Sequence, residues 1–250
     1  AALQRAAARG VVVRVLLDGF GSAELPQHWV DELRMAGIEV QWFRREVSPF
    51  TLRRSRKRRL FRLHRKLAVM DGKVAFVGGI NIIDDIPEYS DFTVPRLDYA
   101  VRVQGAVTGE IHAAMRRLWG VVSWVNFRKR GKELRRLVLE KEEHAVAPEI
   151  TFLLRDNLRH RRDIERAYLK AIAGAQREII IANAYFLPGR AFRRALNRAV
   201  QRGVRVVLLL KGKVEYRLQH YATHALYDQL LVGGVEIYEY QASYMHAKVA

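Results

Sequence analysis

The chain has 250 residues, half of them apolar, a formal charge of +18 and no cysteine. That length holds one large core or two small ones, and the charge, with a pI near 10.6, points to an anionic partner, either nucleic acid or an acidic membrane surface, a merely soluble basic protein being the other reading. Without thiols a disulfide framework and a thiolate metal centre are excluded, which fits a reducing compartment, and no run reaches the roughly 20 apolar residues of a membrane span. Nothing at the N-terminus resembles a signal peptide, so any membrane contact by this part is expected to be peripheral.

In chain order, Ala1–Arg9 reads as the end of a helix stopped by Gly10, and Val11–Leu17 as a buried parallel strand, because the run is continuously apolar and β-branched. Asp18-Gly-Phe-Gly-Ser22 follows at the carboxyl end of that strand, where ligands sit in open α/β sheets; a plain connecting loop is the other reading. Trp29–Met35 is a second helix, closed by Gly37, and Ile38–Phe43 a second strand. Strand and helix in alternation imply a mostly parallel sheet covered on both faces.

The densest charge lies between Arg44 and Arg62. Arg53, Arg54, Arg56, Lys57, Arg58 and Arg59 form either a solvated basic loop or a patch that docks on acidic lipid headgroups, where each cation contributes on the order of 1 kcal/mol. Leu60 and Phe61 would add an apolar toe in the interface, and nucleic-acid phosphate would be met by the same cations.

Next comes HRKLAVMDGKVAFVGGIN, His64 to Asn81. Leu67–Val69 and Val74–Val77 read as two strands around the turn signal Asp71-Gly72. On a strand His64 and Lys66 project to one face, and an imidazole beside a fixed cation suits attack on, or protonation of, a phosphate ester. Gly78 and Gly79 allow a tight turn or a close approach of backbone to ligand, and Asn81 can donate an amide hydrogen bond to the same anion.

A loop with Asp84, Asp85, Pro87 and Pro95 leads to a further strand in LDYAVRVQG, which contains Asp98. Thr108–Trp124 is an amphipathic helix with a core stripe of Ile111, Met115, Leu118, Trp119 and Val122. Asn126–Pro148 reads as a charged linker or solvated helix joining the halves. Then follow a strand at Ile150–Leu154, a helix at Ile164–Ala173, a strand at Ile179–Ala182, and NAYFLPG at Asn183–Gly189, whose Tyr185 and Phe186 either line a headgroup channel or pack. His28, His112, His144, His160, His220 and His224 show no metal-ligand spacing, although His220 and His224 share a helical face, and no metal is expected.

The chain repeats itself. AAARGVVVRVLLDG (Ala6–Gly19) returns as RAVQRGVRVVLLLKG (Arg198–Gly212), and DELRMAGIEVQWF (Asp31–Phe43) as DQLLVGGVEIYEY (Asp228–Tyr240). The offset is 193 at the Arg-Gly turn and 197 at the glycine before the second strand. MHAKVA ends the second copy, with His246 and Lys248 at the spacing of His64 and Lys66. The first copy carries 15 extra residues ahead of its histidine, most of the local positive charge among them. The expected division is 1–125, a linker 126–148, and 149–250, in a fragment cut at both ends and, at its C-terminus, within the second motif.

The combination H-x-K-x4-D-x6-G-G-x-N resembles the signature of the phospholipase D superfamily. NAYFLPG, the Arg-rich helix and RGVRV strand after it, YDQLLVGGVEIYEY and GGIN resemble its bacterial cardiolipin synthase branch, the short type without an N-terminal membrane span. The resemblance implies two similar α/β/α halves with mixed, mostly parallel sheets, related by a pseudo-twofold axis that brings His64 and His246 to one cleft. It implies catalysis by His64, Lys66, Asp71, His246 and Lys248, without metal or cofactor, on a phosphate held also by Asn81 beside Gly78 and Gly79. Asp98, 34 positions beyond His64, resembles the acidic group that holds that histidine's other ring nitrogen. The implied reaction is phosphatidyl transfer through a phosphohistidine, making cardiolipin from phosphatidylglycerol or a related donor. The implied location is the cytoplasmic face of the bacterial membrane, bound peripherally to anionic phospholipid. Two alternatives stay open: hydrolysis of a phosphodiester, lipid or nucleic acid, by the same histidines, and a non-enzymatic lipid- or nucleic-acid-binding module.

Overall fold

A computed structural model describes residues 1–44, 62–83, 86, 94–126, 150–155, 160–214 and 217–250. The basic stretch from Arg53 to Phe61 and all of the charged linker but Asn126 lie outside the described residues. The chain divides into two units. One comprises Ala1–Arg65, Asp71–Lys73 and Gly105–Pro148, the other Lys66–Met70, Val74–Gln104 and Glu149–Ala250.

In the first unit, α1 (Ala2–Ala8) turns through Gly10 into β1 (Arg14–Asp18), and α2 (Gln27–Met35) turns through Gly37 into β2 (Glu39–Phe43). Both glycines have positive φ, 85° and 81°, the left-handed geometry that side chains resist and that stops a helix cleanly. The strand begins later than the apolar run: Val11 and Val12 stay exposed, because the chain leaving a left-handed turn needs several residues to reach its partner. β1 and β2 pair in parallel from Arg14↔Glu39 to Asp18↔Phe43. Val30, Ile38, Val40 and Trp42 form the core beneath them. The helix α3 (Val107–Asn126) lies against β2, where Gln41 Nε2 donates to Ser123 Oγ at 2.6 Å. Ile111 and Val122 of its expected stripe are 1% and 5% exposed.

The second unit holds two sheets. β3 (Lys66–Met70), β4 (Val74–Gly78) and β5 (Ala100–Gln104) form an antiparallel meander whose first turn is the foreseen Asp71-Gly72. Asp98 precedes β5 rather than lying within a strand. The larger sheet runs β8-β7-β6-β9. Its parallel strands β6 (Glu178–Asn183), β7 (Arg205–Lys211) and β8 (Glu236–Tyr240) alternate with α5 (Arg190–Gln201), α6 (Arg217–His224) and α7 (Tyr227–Val232), while α4 (Asp163–Gly174) precedes them. β9 (Lys248–Val249) closes the edge antiparallel to β6. Leu196, Leu208, Leu210, Leu230 and Val206 are at most 1% exposed. The expected strand at Ile150–Leu154 does not form: its residues join no ladder, and Ile150 and Leu153 are exposed.

The sequence repeat is also a repeat of geometry. Gly203 and Gly234 take the positive φ of Gly10 and Gly37. Lys211↔Tyr240 closes the second ladder where Asp18↔Phe43 closes the first. Gly19 N and Gly212 N donate to the carbonyls of Phe43 and Tyr240 at 2.9 and 3.1 Å.

Candidate active site

The second unit assembles its site at the carboxyl ends of parallel strands, where side-chain and backbone polar groups converge. The backbone at His246 is clamped from two sides. Leu97 N donates to Tyr244 O, His246 N to Leu97 O and Ala184 N to Ala247 O, at 2.8 to 2.9 Å. Ser243 Oγ, on a residue 1% exposed, donates to Pro95 O at 2.7 Å. These bonds fix the segment carrying Asp98 against the segment carrying His246.

The side chains follow. His246 Nδ1 and Asp98 Oδ2 are 2.7 Å apart, with side-chain exposures of 13% and 9% that keep water from competing for the bond. Tyr99 N donates to the other carboxylate oxygen at 2.8 Å. Gly79 makes this approach possible, since a Cβ there would collide with the Asp98 carboxylate; at Gly78 it would strike the backbone of Tyr99 and Ala100. Gly79 thus serves the close approach of backbone to a protein carboxylate and Gly78 that of two backbone segments, where the sequence reading offered a tight turn or a close approach to a ligand.

Asp98 is the main departure from expectation. Counted along the chain it belonged to His64; in space it holds His246, because the bridge between Leu97 and Met245 puts its strand entry beside the second-copy histidine.

Lys248 Nζ lies 3.2 Å from His246 Nε2 and donates to the His246 carbonyl at 2.8 Å. Burial lowers the pKa of His246; the Asp98 bond opposes this, but the ammoniums of Lys248 and Lys66 add to the lowering. The lowering favours the neutral ring, and the Asp98 carboxylate favours the tautomer with Nδ1–H toward it and the lone pair on Nε2. Lys248 is lowered in turn, first by desolvation and then by Lys66 and Lys211, against the pull of Asp98. Tyr185 meets the His246 ring edge-on at 6.1 Å between centroids and carries Lys248 and Lys211 at 5.6 and 5.4 Å from its own. Phe186 beside it is 4% exposed and packs on Phe192, so of the two aromatic candidates only Tyr185 reaches the site. A pocket lined by Ile80, Asn81, Ile83, Arg96, Asp98 and His246 opens over the ring.

In the first unit His64 is exposed and lies two residues ahead of β3, outside any strand. Its approach is fixed by Asp18, which accepts from Leu63 N (2.9 Å), Gly21 N (2.8 Å) and Arg62 Nε (2.9 Å). Burial alone would raise the Asp18 pKa, but these three donors outweigh it and hold the carboxyl below its usual range. Arg62 also stacks on Phe20 at 3.9 Å. The Asp18–Ser22 loop thus binds the chain's own approach to His64. Asp71 sits exposed at the hairpin turn with φ 52°; Lys66 starts β3, at the end of the hairpin away from that turn.

The Asp18–Ser22 loop, expected to meet a ligand or merely to connect, holds the approach to His64, while Lys211 and the apolar rim of Ile80 and Ile83 carried no expectation. The repeat held the signal for Asp18 and Lys211, since these are equivalent positions that differ in charge. Among the described residues no group of three or more His, Asp or Glu could hold a metal, and no helix is long and apolar enough to cross a membrane.

The curated relatives include cardiolipin synthase B of Shigella flexneri, 37% identical over 261 residues, covering 100% of this chain and 59% of the relative. Cardiolipin synthase B of Salmonella typhi is 40% identical over 252 residues, with the same coverage. The chain thus spans about three-fifths of the length of these relatives. Among solved structures, phosphatidylserine synthase of Haemophilus influenzae superposes with a TM-score of 0.54 at 11% identity, over 99% of this chain and 72% of that one, a likeness of fold. Residues 1–86 and 168–250 match the family described as "Cardiolipin synthase, PLD-like domain". That match takes in most of the chain and both His-x-Lys pairs, and the chain belongs to this phospholipase D-like family of the cardiolipin synthases.

Proposed function

We propose that the whole protein is a phosphatidyltransferase that makes cardiolipin from two molecules of phosphatidylglycerol, or from one and a related phospholipid donor. The observation that carries this reading is the buried Asp98–His246 couple with Lys248 and Lys66 acting on its ring. A ring oriented by a buried carboxylate, amid cations that attract a phosphodiester anion, suits the group that gives a proton to the leaving glycerol oxygen and takes one from the incoming hydroxyl.

The steps follow from the groups. His64 attacks phosphorus, forming a P–N bond as the P–O bond to the departing glycerol breaks; the glycerol oxygen takes a proton from His246. That proton is taken up from solvent when the donor binds, since the donor's negative charge offsets the lysines and favours the protonated ring. His246, neutral again, removes the proton from the free hydroxyl of the second phosphatidylglycerol, whose oxygen attacks phosphorus and releases His64. Lys66, Lys248 and Asn81 hold the phosphoryl oxygens through both steps. Water in place of the second lipid would yield phosphatidate. The exposed isoleucines at 80, 82, 83 and 86, in the loop that follows Gly79, and the net charge of +18 favour work at an anionic bilayer surface, bound peripherally.

The test uses the complete protein, with and without His64→Ala, on labelled phosphatidylglycerol in mixed micelles containing a chelator. Cardiolipin and glycerol from the parent alone support transfer through His64. Phosphatidate alone would replace this reading with a lipid hydrolase, and no lipid turnover would overturn it.

A further inference from the structure

Beside the His246 site the second unit has another polar pocket that the reaction above does not use. It opens at the carboxyl ends of β6 and β7 against α6, and Asn183, Tyr185, Lys211, Lys213, His220 and Thr223 line it. With Gln219 and His224, which also line it, the pocket offers two ammoniums, two imidazoles, a hydroxyl, two amides and an aromatic wall, and among the described residues no carboxylate lines it. Glu239 contacts His224, with Oε1 3.1 Å from Nε2, and accepts from the Tyr227 hydroxyl at 2.9 Å. The His220 and His224 rings pack at 4.0 Å and His224 stacks on Tyr227 at 4.4 Å, so the wall behind the pocket is a braced column.

Tyr185 is shared. It meets the His246 ring and also lines this pocket, and the ammoniums of Lys248 and Lys211 lie 5.6 and 5.4 Å from its centroid.

Resting on the transfer reaction, we infer that this pocket takes the phosphodiester of the acceptor lipid and presents its free glycerol hydroxyl to His246. The product of that reaction carries two phosphates joined through one glycerol, so a transferase must hold a second phosphodiester within a glycerol's reach of the reacting one. A hydrolase needs no such place. Lys211 and Lys213 supply the charge, Asn183 and Thr223 hydrogen bonds, and Tyr185 the wall against which the bridging glycerol lies.

The test reads the pocket directly. The whole protein carrying His64→Ala, which blocks turnover, is titrated with glycerophosphoglycerol, the water-soluble headgroup diester, while the ring protons of His220, His224 and His246 are followed by NMR. The His220 and His224 signals are expected to shift saturably, with affinity about tenfold weaker in Lys213→Gln and restored in Lys213→Arg, since one charge-assisted contact is lost in the first and kept in the second. No shift at His220 and His224, or equal affinity in Lys213→Gln, overturns the inference. Inorganic phosphate is the second probe; binding as tight as the diester's would make this a general anion site and overturn the acceptor assignment. In turnover, Lys213→Gln is expected to lower the ratio of cardiolipin to phosphatidate about tenfold, and an unchanged ratio counts against the pocket. A parent that makes no cardiolipin defeats the transfer reading itself, whatever the titration reports.

Discussion

Two equivalent positions do opposite work in the two halves. Asp18 closes β1 as Lys211 closes β7, each followed by a glycine whose amide bonds the neighbouring strand in the same way. Asp18 turns inward and binds Arg62, two residues before His64. Lys211 sits 5.3 Å from the ring of Tyr244, two residues before His246, and 5.4 Å from Tyr185. One ladder end is thus an anchor for the chain and the other adds positive charge toward the site. A duplicated fold kept its backbone and reversed the charge at one position, and with it the job.

The largest effect should come from the group on which the His246 arrangement depends. Asp98→Asn leaves the backbone clamp intact but removes the charge that supports a protonated ring, so cardiolipin formation by the whole protein should fall about 100-fold or more. Gly79→Ala tests the same couple from the backbone: its methyl would displace the Asp98 carboxylate, and misplacement on that scale costs about 100-fold, with a thermal melt near that of the parent.

Asp18→Ala should act on the first half alone. Leaving three donors without their acceptor costs about 1–3 kcal/mol of stability, read by denaturant unfolding, and activity falls with the loosening of the His64 approach. Its carboxyl is held below the ordinary value, so its contribution is present above about pH 3.9 and is lost as pH falls through the folded value. In Asp18→Ala that part of the acid dependence should vanish.

The smallest and most specific effects are on titration. His246 should titrate below the ordinary imidazole value of about 6.5. Asp98→Asn removes the group that raises it and should move the midpoint lower; Lys66→Gln removes a repelling charge and should move it higher. Lys211→Gln should raise Lys248 by the same logic. Shifts in the same direction for Asp98→Asn and Lys66→Gln would break the electrostatic account of the site.

Much of this was legible in the residues. The repeat, the four glycine turns, the Asp71-Gly72 hairpin and the pairing of His246 with Lys248 all follow from local pattern, because left-handed turns and strand alternation are written in a few adjacent residues. The partner of Asp98 was not, since it depends on a bridge between Leu97 and Met245, far apart in sequence. Nor was the strand at Ile150–Leu154 excluded by its apolar run, because a strand also needs a neighbour. The division of labour between Asp18 and Lys211 was visible as a charge difference in the repeat, but its meaning required Arg62, Tyr185 and Tyr244 in place.

The claim at the centre is that phosphatidyl transfer runs through a covalent bond to one histidine while the Asp98-held ring moves protons. The most direct measurement is rapid quenching of the whole protein with phosphatidylglycerol labelled at phosphorus, followed by digestion and mapping of the bound label. The account predicts acid-labile, base-stable label on the peptide carrying His64. Label on His246 would reverse the roles of the two histidines, and label on neither would contradict the covalent route.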